Sequence, residues 1–364
     1  MERSIKKLDD TLLIIVLFLV CFGLVTLYST SAYNGLVKFG DAAYYFKKQF
    51  FATALGVAAM YLISRMDYHI FMKLAIPGYV ASLLLSGLVL IVGDSYNGSK
   101  RWLSLGPLSF QPSEFAKLAV ILFLAYMVSR QKKKRNSIWM LFLVLGMVLP
   151  IVGLVGTNNL STAIIIMGIA VILVFVSNPK YIQFIWMGGI GIGFVAIFLS
   201  LESYRLERLE IWRDPENFEK GYQTIQGLFA IGSGGLFGKG LGESIQKLGF
   251  VPEAQNDMIF SIICEELGFV GAVFLVIIFS LLIWRFMVVA THCVDLFGGL
   301  ITVGIMGHIA IQVMLNIAVV TNTIPNTGIT LPFISYGGTS VLFLLAEMGL
   351  ALSVSRWQKQ TPRI

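Results

Sequence analysis

Residues 12–31 read LLIIVLFLVCFGLVTLYSTS, twenty residues without a charge. As a helix they span about 30 Å, the thickness of a bilayer's hydrocarbon core. The apolar core of a secretory signal is shorter, about 7–15 residues, so the run predicts a retained spanning helix. The rest of the chain repeats the pattern. Of 364 residues, 57% are hydrophobic and 13% charged, against about 25% charged in a soluble domain. The composition excludes a large soluble core.

Further spans are expected at 49–64, 74–92, 114–129, 138–155, 160–177, 181–201, 258–285, 299–321 and 339–355. The sequence thus predicts one all-α polytopic membrane domain, 1–364, with ten spans and a large loop over 202–257. Ten spans put both termini on one side. Fifteen Lys and Arg fall on that side, against five in the short loops opposite. Basic residues mark the cytoplasmic side, so both termini are expected in the cytoplasm. The net charge of +7 is absorbed by this asymmetry and does not imply nucleic acid. Cys21, Cys264 and Cys293 are an odd, scattered set, which argues against a disulfide framework. His69, His292 and His308 are far apart and suggest no zinc site.

Three segments, 93–113, 202–257 and 322–338, would lie at the outer face. Each is rich in Gly, Pro and polar residues, and all three could converge on one site. Within the second, Tyr204–Trp212 mixes charged and apolar residues at helical spacing, as an interfacial helix does. There Arg205, Arg208 and Arg213 are expected to solvate the helix beside their acidic neighbours. The run Gly232–Ser244, GSGGLFGKGLGES, invites a phosphate-loop reading. It fails because Ser233 stands where the first Gly is needed and Gly240 follows Lys239. A loop needing positive φ is the reading left.

Asp257 precedes Met258-Ile259-Phe260, the start of an apolar run. Pattern alone makes it a helix cap with a lowered pKa. Glu265 lies about 12 Å further along that helix, and Glu266 points away from Asp257. Structural pairing is expected for both, since carboxylates inside a membrane are costly. Glu114 and Lys117, three apart, form a neutral pair on one helix face, or else place the lysine in a cavity that binds an anion. Arg101 beside Trp102 fits an ordinary interfacial belt.

Three stretches carry a family resemblance: KRWLSLGPLSFQPSEFAKLA, GYQTIQGLFAIGSGGLFGKGLG with VPEAQND, and IPNTGITLPFISYGGTS. In this order they resemble the FtsW/RodA/SpoVE (SEDS) family, closer to the FtsW and SpoVE branch than to RodA. The resemblance covers essentially the whole chain. It implies a peptidoglycan glycosyltransferase of the bacterial cytoplasmic membrane. Such an enzyme polymerises lipid II at the outer face, in cell division or sporulation, and releases undecaprenyl pyrophosphate. It implies Asp257 as the catalytic carboxylate and Arg101, Trp102, Glu114, Lys117, Glu253, Ser335 and Tyr336 as substrate-binding residues. The expected partners are a class B penicillin-binding protein, other division or sporulation proteins and membrane lipids. No organic cofactor is expected. A divalent cation, Mg or Mn, would bind at Asp257.

The chain departs from the family pattern in three places. Gln255-Asn256 replaces His-Thr, Asn158–Ser161 replaces Pro-Asp-x-Gly, and Glu243 and Ile245 stand where Asn and Arg are frequent. Joining a sugar hydroxyl to an anomeric carbon needs a base and positive charge for the leaving pyrophosphate. Asp257 fits either as that base or as a metal ligand. Two other classes explain a polytopic chain with buried charges: a flippase for lipid II, and a non-catalytic scaffold for a penicillin-binding protein.

Overall fold

The computed structural model describes residues 8–96, 99–105, 108–131, 138–177, 185–186, 188–194 and 203–357. Eleven helices and three short strands are labelled in chain order. Helix α1 is Asp10–Phe39, α2 Tyr44–Arg65, and α3 Phe71–Val92, entered through a 3-10 turn at Tyr68–Ile70. Strands β1 Asp94–Tyr96, β2 Ser99–Leu105 and β3 Leu108–Phe110 follow. Then come α4 Pro112–Arg130, α5 Ile138–Gly156, α6 Leu160–Ser177, α7 Ser203–Arg213 and α8 Tyr222–Ser233. Helices α9 Ile259–His292, α10 Leu296–Val320 and α11 Gly338–Ser355 complete the fold.

Among the described residues, seven helices (α1, the 3-10 turn with α3, α4, α6, α9, α10 and α11) are long and apolar enough to cross a membrane. Helix α2 has 22 residues but is less apolar, and within the strongly apolar α5 the stretch Met140–Gly156 falls just short of the length of the seven. Most of the span expected at 181–201 lies outside the described residues.

The packing is that of a membrane bundle. Large apolar side chains such as Ile14, Leu84 and Ile91 point outward, while Thr26, Ser82 and Ser86 are buried. Small residues let backbones approach where lipid gives no hydrophobic drive. At Gly23 of α1 a Cβ would run into the Phe333 carbonyl, and at Gly349 of α11 into the backbone of Met60 in α2. Helix α2 lies along α11, α3 along α4, and α10 contacts α4, α6 and α9. Asp9 caps α1, accepting from Leu12 N at 2.9 Å, and pairs with Arg285 of α9 at 2.7 Å. The three cysteines are free thiols.

The purely helical expectation needs correction at 94–110. Strands β1 and β2 pair antiparallel, with Asp94 opposite Trp102, and β2 pairs with β3, with Leu103 opposite Phe110. Period-two alternation in this stretch suits a strand, and its short length makes it easy to pass over. The sheet is fastened to the α5–α6 connection. Arg101 Nε donates to the Asn158 carbonyl at 2.7 Å, and Asn158 Nδ2 donates to the Lys100 carbonyl at 2.9 Å.

Candidate functional site

A cavity of about 730 Å³ opens at one end of the bundle. Its walls come from β2, α4, α7, α8, the turn before α9, α10 and the 326–340 segment. Arg101, Trp102, Glu114, Lys117, Glu253, Asp257 and Tyr336 all line it. The three loop segments therefore meet, although they are far apart in sequence.

Asp257 is 7% exposed. It does not cap α9: that helix starts at Ile259, with Met258 in the cap position and no side-chain cap bond. Residues 251–258 form turns instead, so the carboxylate is turned away from the first free amides. Its described partner is Gln223 of α8, whose Nε2 reaches both carboxylate oxygens at 3.4 Å. Burial, reinforced by the nearby Glu253 carboxylate, pushes Asp257 up to about 7. Gln223 and Arg208 oppose this without cancelling it. The lowered value expected for a cap is thus reversed, because water is lost and no helix dipole replaces it.

Glu253 holds φ at +54° and accepts from Asn256 Nδ2. Asn256 Oδ1 is buried without a hydrogen bond. Tyr336 N donates to the Gln255 carbonyl at 2.9 Å, and its ring meets Tyr45 edge-on at 5.0 Å. Burial raises the Tyr336 phenol to about 12, so it enters the site as a neutral donor. Gln255 stands where the family's His is expected, and its Oε1 accepts from Asn34 Nδ2 at 3.0 Å. It fastens the turn to α1 and adds no titratable group.

Ser335 does not line the cavity. Its hydroxyl donates to the Asn256 carbonyl at 2.6 Å and accepts from Leu331 N at 2.8 Å. It supports the turn that carries Asp257. Arg208 shifts the other way. Expected merely to solvate a helix, it lines the cavity and donates to the Asn326 carbonyl at 3.3 Å.

Glu114 and Lys117 form an ion pair at 3.0 Å, with side chains almost fully buried. Lys117 Nζ also donates to Gln312 Oε1 at 3.1 Å. The same oxygen meets His308 Nε2 at 2.9 Å, and His308 Nδ1 meets Glu347 Oε2 at 2.8 Å. Gln312 Nε2 donates to the Thr330 carbonyl at 3.0 Å. Four residues on from Gln312, Asn316 Nδ2 donates to the carbonyls of Asp257 and Ile329 at 2.8 and 2.7 Å. His308, Gln312 and Asn316 thus form an i, i+4 polar stripe on the inner face of α10. Sequence reasoning missed Gln312 and Asn316, yet that stripe within an apolar span was its available signal.

Deeper in α9, Glu265 pairs with Lys239 at 2.6 Å and Glu266 with Lys247 at 2.7 Å. Both are structural partners of the glycine-rich segment, whose Gly235, Gly238, Gly240 and Gly242 have positive φ. Among the described residues no group of three His, Cys, Asp or Glu side chains is placed to hold a metal. Two carboxylates and the unbonded Asn256 oxygen are nevertheless hard oxygen donors. They fit an ion such as Mg, which takes one or two carboxylates and completes its shell with water and substrate phosphates.

The family model described as cell cycle protein, FtsW/RodA/SpoVE, matches residues 10–360. Stage V sporulation protein E of Bacillus subtilis (strain 168) is 42% identical over 360 residues, covering 96% of this chain and 98% of its own. The probable peptidoglycan glycosyltransferase FtsW of Geobacter sp. (strain M18) is 34% identical, covering 97% and 98%. A chain from a peptidoglycan synthase complex that coordinates polymerization and crosslinking superposes with a TM-score of 0.82. It is 32% identical, covering 97% of this chain and 99% of that one. The crystal structure of the Thermus thermophilus rod shape determining protein RodA gives a TM-score of 0.73. Identity there is 31%, with 97% and 98% covered.

Proposed function

This chain belongs to the FtsW/RodA/SpoVE family, and from that premise we propose that it polymerises lipid II with Asp257 as the catalytic carboxylate. It is a multi-pass membrane protein and a peptidoglycan glycosyltransferase. The observation that carries the site assignment is the shared cavity. It puts a poised carboxylate together with Lys117 and Arg101.

In the proposed reaction the acceptor sugar hydroxyl gives its proton to Asp257. Its oxygen attacks the anomeric carbon of the donor, and the bond to the lipid pyrophosphate breaks on the opposite face. An α-linked donor then yields a β-linked product in one inverting displacement. A base near 7 matches this task, since it is largely ionised at neutral pH yet basic enough to accept the proton. Lys117 and Arg101 supply positive charge for the leaving pyrophosphate. In the alternative in which Asp257 takes no proton, it would instead hold a divalent cation together with Glu253 and Asn256 Oδ1, and the cation would add to that charge. Glu114, Trp102 and Tyr336 shape and position the substrate.

The ten-span arrangement, the cytoplasmic termini and the bacterial cytoplasmic membrane belong to this proposal, supported by the Lys/Arg asymmetry. So does a class B penicillin-binding protein as partner, supported by the similarity to a synthase-complex chain.

The test is polymerisation by purified protein and partner, with lipid II as substrate and glycan strands resolved by electrophoresis. Asp257→Asn should abolish polymer while retaining partner binding. Polymer formation at the parent rate would overturn the assignment. Transport of lipid II across liposomes by protein that makes no polymer would instead favour a flippase.

A further inference from the structure

We propose that residues 222–250 form a re-entrant hairpin, dipped into the leaflet on the cavity side with its rim against lipid acyl chains. Hydrogen bonds fix the levels. At the far end, Asp9 N donates to Ser355 Oγ at the foot of α11. At the near end, Tyr336, just before α11, bonds to Gln255. The 18 residues of α11 rise about 27 Å between these levels, close to the hydrocarbon thickness of about 30 Å. A second path agrees. His308 pairs with Glu347, about 14 Å below Gly338, and Asn316 stands about 12 Å above His308 and holds Asp257. Asp257 is therefore level with the top of α11.

From there both α8 and α9 descend. Gln223 meets Asp257, a Cβ at Gly227 would meet Met258, and one at Gly234 would meet the Cys264 carbonyl. Residues 235–240 then cross α9 at its one non-helical residue, Gly268 (φ 67°, ψ −169°). Lys239 N and Gly240 N donate to the Glu265 and Glu266 carbonyls, while Phe269 N and Val270 N donate to Gly235 and Leu236. Gly268 lies about 14 Å along α9 from Ile259, well inside the slab. The chain returns past Ser244 and Lys247, which bind Glu265 and Glu266, and reaches Gln255 at the top.

Irregular backbone at membrane depth is tolerated only when its polar groups are satisfied within the protein, and here these four crossing amides are. Two of the segment's charges are neutralised by Glu265 and Glu266. The outward side is apolar: Leu236, Phe237, Leu241, Ile245 and Leu248 are between 45% and 80% exposed. Glu243 is the exposed carboxylate among them. Between this rim and α1 runs a groove of about 390 Å³, lined mainly by apolar side chains such as Val25, Tyr28, Leu241 and Leu248, while its polar lining residues Ser29 and Lys247 are engaged by Glu266. At that depth a hydrocarbon chain is the occupant its walls fit.

Spin labels decide the matter. Phe237→Cys and Leu241→Cys, each in a Cys21→Ser background, are reconstituted without partner in phosphatidylethanolamine–phosphatidylglycerol liposomes. Monodisperse elution before reconstitution certifies each fold. Collision with oxygen should exceed collision with a nickel chelate several-fold at both positions. The ratio should invert at Glu216→Cys on the exposed turn after α7. Nickel access equal to that control would overturn the proposal, as would exclusion of both reagents, which means protein covers the rim. Dipolar broadening at both positions would assign the rim to a second copy instead. None of these results bears on the glycosyltransferase reading.

Discussion

Asn316 holds Asp257 by the main chain, with Nδ2 2.8 Å from the Asp257 carbonyl oxygen. It does not line the cavity, so it acts on position and not on substrate. Asn316→Ala leaves two buried carbonyls without a donor, at about 1–3 kcal/mol. The expected result is a kcat lower by roughly tenfold or more, with KM for lipid II unchanged. A change confined to KM would contradict a positioning role.

The pH profile should carry the signature of Asp257. With the carboxyl near 7, polymerisation should rise as pH increases through neutrality. Glu253→Gln removes the neighbouring charge and should move that acid limb to lower pH.

Stability should run the other way. The folded value lies above the ordinary 3.8, so this group's contribution is complete below about pH 4 and lost as pH rises through about 7. Asp257→Asn should therefore melt higher than the parent at pH 8 and show no such gain at pH 4. Equal melting differences at both pH values would mean that the carboxyl is not perturbed.

Lys117→Met tests the buried pair. It strands Glu114, and breaking a buried pair costs about 3–5 kcal/mol. The double variant Glu114→Gln/Lys117→Met should recover most of the melting temperature but none of the polymerisation. Recovered polymer would show that the pair serves the fold alone.

Gly268→Ala tests the broken helix. Its φ and ψ are open essentially to glycine only, at about 1–3 kcal/mol for other residues. A Cβ would also strike Gly238 N and the Leu236 carbonyl. The thermal midpoint should fall with little change in helical circular dichroism. An unchanged midpoint would mean that the crossing is loose.

The membrane class and the convergence of three loops on one site were legible because they rest on composition and motif order. The Glu114–Lys117 pair was legible because i, i+3 spacing leaves little freedom. Asp257 was misread in one respect. An acidic residue before an apolar helix looks like a cap, and only the turn at 251–258 shows the carboxylate facing Gln223. Ser335 was read as a substrate contact because it sits in a motif, whereas its bonds run to Asn256 and Leu331. Asn316 and Gln312 were hidden because polar residues in an apolar span need partners from other elements before they mean anything. The hairpin was hidden for a related reason. Its depth is set by contacts to α9, and nothing local in a glycine-rich run encodes depth.

The Gln312 side chain is pinned by three neighbours, with its nitrogen on Thr330 and its oxygen shared by Lys117 and His308. Sharing has a mechanical meaning. An anionic group arriving in the cavity can draw Lys117, still paired with Glu114, off this oxygen without leaving it bare, because His308 continues to engage it. Gln312 therefore works as a latch with two hasps: one opens to serve the substrate while the other keeps α10 in register beneath Asp257.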